Sequence, residues 1–140
     1  MLLTIMPLKG VGQVMFGATQ AEVRSIVGSE FESFLRSPRD SFPCDYFEEI
    51  GAFFYYDSGG LLDAIEFAPP ARPTVQVMEL LVLGFDLACS KLSALDNHME
   101  RKIDGAIAYQ IGVSIWVPLA KDNPAAPVES VLAFRQGYYN

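Results

Sequence analysis

Seven carboxylates, Asp40, Asp45, Glu48, Glu49, Asp57, Asp63 and Glu66, fall in a stretch with no lysine or arginine between Arg39 and Arg72. Paired carboxylates can perform acid–base chemistry on glycosides or hold a metal, but both tasks need a cleft and shifted proton affinities that spacing alone does not specify. What the segregation predicts is an acidic surface around a hairpin, where charge discourages strand-to-strand aggregation and attracts a basic partner. The only histidine, His98, sits in Asp96-Asn97-His98-Met99-Glu100, and nothing in the sequence brings it to Cys44, Cys89 or a serine as a nucleophilic triad would require. Two widely spaced cysteines and one histidine fall short of a zinc ligand set. Gly10-x-Gly12 lacks the third glycine of a dinucleotide fingerprint, and no P-loop pattern occurs. The expectation is no catalytic residue, no metal and no cofactor.

The aromatic side chains point toward binding. Tyr46, Tyr55, Tyr56, Trp116, Tyr138 and Tyr139 exceed what one face of a small sheet must bury, and tyrosine and tryptophan are common interface anchors. Combined with the acidic stretch, they give Asp45, Tyr46, Glu48, Glu49, Asp57, Trp116, Tyr138 and Tyr139 as candidate partner-binding residues. The chain has 17 acidic against 10 basic side chains, net −7, which repels a phosphate backbone and argues against direct nucleic-acid binding. A basic protein would instead be steered toward it.

These residues must be positioned by elements whose pattern is partly visible. At 140 residues, 51% hydrophobic and 19% charged, the chain is expected to pack as one domain, 1–140. Residues 1–16 are apolar but broken by Pro7, Lys9, Gly10 and Gly12 with no basic start, so they do not read as a secretory signal. No apolar run approaches the ~20 residues of a membrane span. A cytoplasmic protein is expected, with both cysteines as thiols.

Thr19-Gln20-Ala21-Glu22 has capping-box spacing and predicts a helix from Thr19 that stops at Gly28. Val14-Met15-Phe16 reads as a short strand before it. Phe31, Phe34 and Leu35 have helical spacing and suggest a second short helix. Residues 51–57 and 61–67, joined by Ser58-Gly59-Gly60, form the clearest hairpin. The proline-rich 68–73 is a connector, 75–77 alternates like a strand, and 86–95 reads as a helix that Asp86 could cap. Val113, Ile115 and Val117 alternate with Ser114 and Trp116, so 112–119 is a half-buried strand, and 128–135 returns after a longer loop. If helices cover the Val113 face, Trp116 and one of Tyr55 and Tyr56 lie on the open face.

Two stretches repeat one plan. Ile50-Gly51-Ala52-Phe53-Phe54-Tyr55 with Ile65-Glu66-Phe67 downstream matches Ile111-Gly112-Val113-Ser114-Ile115-Trp116 with Leu132-Ala133-Phe134 downstream. Phe16, Val23 and Ile26 align with Phe85, Leu92 and Leu95. The predicted fold is α+β, two tandem helix-plus-β-hairpin units (about 11–70 and 74–139) forming an antiparallel sheet with helices mainly on one face.

The segment from Phe16 to Val23, the Ile26-Val27-Gly28 stop and the following hairpin resemble the unit of beta-lactamase-inhibitor-like proteins. With Asp45-Tyr46-Phe47 and the aromatic strand 53–57, the chain as a whole is similar to small cytoplasmic immunity proteins of bacterial toxin systems. That resemblance implies a protein that neutralises a cognate toxin by occlusion, with a basic toxin or nuclease as partner, acting as monomer or homodimer. The alternatives are a small-ligand-binding or enzymatic domain with a pocket between sheet and helices, or a self-associating structural module.

Overall fold

The computed structural model describes residues 1–139. Three short strands, β1 (Ile5–Met6), β2 (Gly10–Val11) and β3 (Val14–Met15), form a small antiparallel sheet ahead of helix α1 (Gln20–Val27). Four strands follow: β4 (Glu32–Phe34), β5 (Cys44–Phe47), β6 (Ala52–Tyr56) and β7 (Leu62–Phe67). A two-stranded hairpin, β8 (Thr74–Val75) and β9 (Met78–Glu79), and a 3-10 turn (Leu80–Val82) lead into helix α2 (Phe85–Leu95). Four more strands complete the chain: β10 (Glu100–Lys102), β11 (Gly105–Ala108), β12 (Val113–Trp116) and β13 (Ser130–Phe134).

The two four-strand groups merge into one eight-stranded antiparallel sheet, ordered β10-β11-β12-β13-β7-β6-β5-β4. This is the expected α+β arrangement of two helix-first units, each contributing a four-strand meander in which the expected hairpin is the last pair. The first helix follows its sequence signals. The Thr19 hydroxyl accepts from Glu22 N (3.2 Å), the Glu22 carboxylate accepts from Thr19 N (3.2 Å), and Gly28 closes the helix at φ 69°. One sheet face packs against the helices. Phe47, Phe54, Ile65, Phe67, Val113 and Val131 are fully buried there with Val23 of α1 and Ala88 and Leu92 of α2. Each large apolar side chain removed from water in this way contributes roughly 1.5–3 kcal/mol.

The register exposes a local two-fold relationship. In the first unit Ala52 pairs with Phe67, and in the second Val113 pairs with Ala133. Matching Ala52 to Val113 therefore matches Phe67 to Ala133 and Glu66 to Leu132. At the junction Glu66 lies directly opposite Leu132, flanked by Phe67↔Val131 and Ile65↔Ala133. Equivalent positions thus meet at the centre of the sheet. The expected match of Ile65–Phe67 with Leu132–Phe134 is one residue out of step, and a one-residue slip exchanges the two faces. The helical match is also corrected. The caps Thr19 and Gly84 form equivalent bridges to Leu61 and Pro127, so Val23 corresponds to Ala88 rather than Leu92. Because a helical face recurs nearly every four residues, apolar periodicity alone does not fix register to within a turn.

Other expectations change locally. The segment holding Phe31, Phe34 and Leu35 contains strand β4 instead of a second helix. Gly84 is the N-cap of α2, while Asp86 lies in the first turn and pairs with Arg101 (2.6 Å). The expected strand at 75–77 is two residues long before it turns through Gln76 (φ 47°) and Val77 (φ 62°).

Candidate functional site

The sheet face away from the helices carries a candidate surface. Pairing places Tyr46, Phe53, Glu66, Leu132, Ser114 and Ile107 in one row across six strands, and all six are half-buried. Toward β4 this row becomes an aromatic platform: Tyr46 stacks on Phe53 (centroids 4.2 Å apart), and Phe34 meets the edge of Phe53 (6.3 Å). Toward β12 stands Trp116, with 50% of its surface exposed, between the small residues Gly105 and Ser130.

Two grooves are set into this region. The first, about 240 Å³, has Glu66, Ser114, Ser130 and Leu132 in its lining, with Arg36, Trp116 and Tyr138 also contributing. Tyr55 donates to Glu66 (2.6 Å) and carries the Arg36 guanidinium over its ring (3.7 Å). Burial, then the bond to Glu66, pushes the Tyr55 phenol well above its ordinary range. This groove holds charges of both signs and is smaller than the 300–1,000 Å³ usual for small-molecule sites.

The second groove, about 290 Å³, lies at the β4 end and is lined by Glu30, Phe31, Glu32, Tyr46, Glu48 and Glu49. Two aromatic rings stand among four carboxylates, with no lysine or arginine in the lining. Arg24 passes over the Phe31 ring (4.5 Å), but its charge is committed elsewhere. Such a groove suits a cationic side chain, which carboxylates attract and an aromatic face accepts.

Asp45 is not part of this surface. It is fully buried and turned toward α1, where it accepts from Arg24 Nε (2.9 Å) and Nη2 (2.8 Å), Ser33 Oγ (2.6 Å) and Tyr56 OH (2.9 Å). The bond to Asp45 raises the Arg24 pKa above its ordinary value, and burial followed by the same carboxylate raises that of Tyr56. A buried carboxylate is tolerated only with this degree of pairing, and the pairing removes Asp45 from docking.

The remaining candidates separate. Tyr46, Glu48 and Glu49 meet in the acidic groove. Asp57 serves its own turn, accepting from Gly59 N (2.9 Å) and Leu61 N (3.0 Å). Trp116 and Tyr138 line the first groove, Tyr138 stacking on Phe134 (5.5 Å), while Tyr139 packs edge-on against Phe134 and Tyr109. The open-face member of the Tyr55–Tyr56 pair is Tyr55, but only 7% of it is exposed. His98 is exposed in its loop, and both thiols are buried, which raises their pKa. Among the described residues, no group of three or more His, Cys, Asp or Glu is arranged to hold a metal, and no helix is long and apolar enough to cross a membrane.

Sequence reasoning missed Glu30, Phe31, Glu32 and Arg36. Reading 31–35 as a helix hid the strand pairing that puts Glu32 beside Tyr46. Compared with protein-family models, curated proteins and solved structures, the chain matches none.

Proposed function

We propose that this chain is a protein-binding module that inhibits a basic partner by occlusion, in the manner of an immunity protein paired with a cognate bacterial toxin. The observation that supports this most directly is the convergence of Tyr46, Glu48 and Glu49 with Glu30, Phe31 and Glu32 in a groove free of basic lining. The groove continues onto the aromatic open face, so a partner seated there would contact a charged rim and an apolar platform together, the usual division of a protein interface. The net charge of −7 acts in the same direction at longer range.

The test is capture of partners from the native host at low and high salt, with wild type beside a Tyr46→Ala/Glu48→Gln/Glu49→Gln variant. The expected result is one basic protein retained by wild type at low salt, weakened at high salt and lost by the variant. Equal capture by both forms, or none by wild type, would reject the reading.

A further inference from the structure

The two ends of the eight-stranded sheet are equivalent by the internal repeat but differ in chemistry. Glu32 pairs with Tyr46 as Glu100 pairs with Ile107, so Ser33 and Phe34 of β4 correspond to Arg101 and Lys102 of β10. At the β10 end, these two cations guard the edge in the manner that keeps exposed strands from recruiting others. At the β4 end, no cation stands at these two positions, and the strand's one charge is Glu32. Phe31 (40%), Phe34 (42%) and Leu35 (51%) are exposed around an unpaired edge that has neither proline nor bulge. The acidic groove with its Phe31 and Tyr46 walls lies against that same edge.

We infer that β4 accepts an extended segment of the partner as a ninth strand, and that this segment carries Lys or Arg side chains at positions that enter the acidic groove. The inference rests on the function proposed above and specifies the partner's contacting element. Backbone pairing supplies affinity in such strand addition, and alternate side chains supply selectivity. A basic segment fits better than a second copy of this chain. Edge-to-edge pairing of two β4 strands would gather the Glu30 and Glu32 carboxylates of both copies along one seam, and at the other edge Arg101 and Lys102 are already paired with Asp86 and Glu100. Arg24, the cation nearest the groove, is held by Asp45.

The probe is a short synthetic peptide of alternating Lys and Val, compared with the same peptide N-methylated at every internal backbone nitrogen. The second keeps charge and side chains but cannot donate to a strand. The intact protein is expected to bind the first at least about tenfold more tightly than the second, with new hydrogen-exchange protection confined to alternate amides of Glu32–Phe34. Phe34→Lys, which installs the guard found at Lys102 and removes the Phe34–Phe53 contact, is expected to bring the two affinities toward equality, a change that the added positive charge, common to both peptides, would not produce. Equal binding of both peptides would overturn strand addition but leave the charge-based reading standing. Failure of both peptides to bind, while wild type still captures a basic partner, would also overturn it. Concentration-dependent protection of β4 without peptide would assign the edge to a second copy instead.

Discussion

Gly51 and Gly112 make the same turn in the two halves of the sheet. Gly51 N donates to Phe47 O (3.0 Å) and its carbonyl accepts from Ala68 N (3.0 Å). Gly112 N donates to Ala108 O (3.0 Å) and its carbonyl accepts from Phe134 N (2.9 Å). Their φ values are 69° and 68°, and a methyl group on either would strike the carbonyl of Ala68 or Phe134. Gly51→Ala and Gly112→Ala are each expected to cost about 2 kcal/mol or more, because strain and contact act together. Urea denaturation of the two variants checks this, and matched losses would show that the turns are mechanically equivalent.

Removing the buried charge at Asp45 should be among the most costly single changes. Asp45→Ala leaves the Tyr56 and Ser33 hydroxyls without their acceptor and the Arg24 guanidinium with only Ser33 Oγ, and breaking a buried pair costs on the order of 3 kcal/mol. Arg24 retains 32% side-chain exposure, so water recovers part of its share. A double-mutant cycle with Arg24→Met, read by thermal denaturation, should therefore show clear coupling.

Alkaline pH should unfold the protein through Tyr55 and Tyr56. Both phenols ionise above the ordinary value of 10.0 in the folded chain, burial being the first cause and the bonds to Glu66 and Asp45 the second. Their stabilising contribution is complete below about pH 10 and is lost as pH rises past the unfolded value toward the folded ones. Tyr56→Phe should flatten the alkaline limb of stability against pH, and tyrosinate absorbance should show a late titration step that coincides with unfolding.

Much of the local structure could be read from the chain, and the exceptions have physical causes. The Thr19–Glu22 box and the Gly28 stop are local hydrogen-bonding devices, so short spacing reveals them. The hairpin 51–67 declares itself because one face is buried and its residues alternate. Strands β4 and β10 carry no such signal, since all three residues of each are exposed. With β4 unread, the acidic groove could be only half assembled. Asp45 misled because a charged residue is usually at the surface, and the partner that permits its burial lies 21 residues earlier in the chain.

Trp116 is the single tryptophan and stands half exposed on the open face. Its emission should be red-shifted and readily quenched in the free protein. A partner covering the sheet face should shift it to the blue and protect it. Trp116→Ala should change Tm little, because the side chain is not part of the packed core.

Val77 offers a stabilising change. It sits at φ 62° with 96% of its surface exposed, so its branched side chain bears the cost of a left-handed backbone and gains no burial. Val77→Asn is expected to raise stability by roughly 1 kcal/mol, since asparagine tolerates that conformation. Chemical denaturation measures it directly.

The central pairing of Glu66 with Leu132 has a bearing on ancestry and on how far this architecture can grow. A polypeptide holding only one unit would end in an open last strand able to pair with the same strand of a twin. Such an isologous homodimer would rebuild the eight-stranded sheet from two identical subunits. Joining the halves in one chain makes that association permanent and frees each copy to diverge. It also closes the series, because both last strands are used at the junction and a third unit would have no equivalent place to attach.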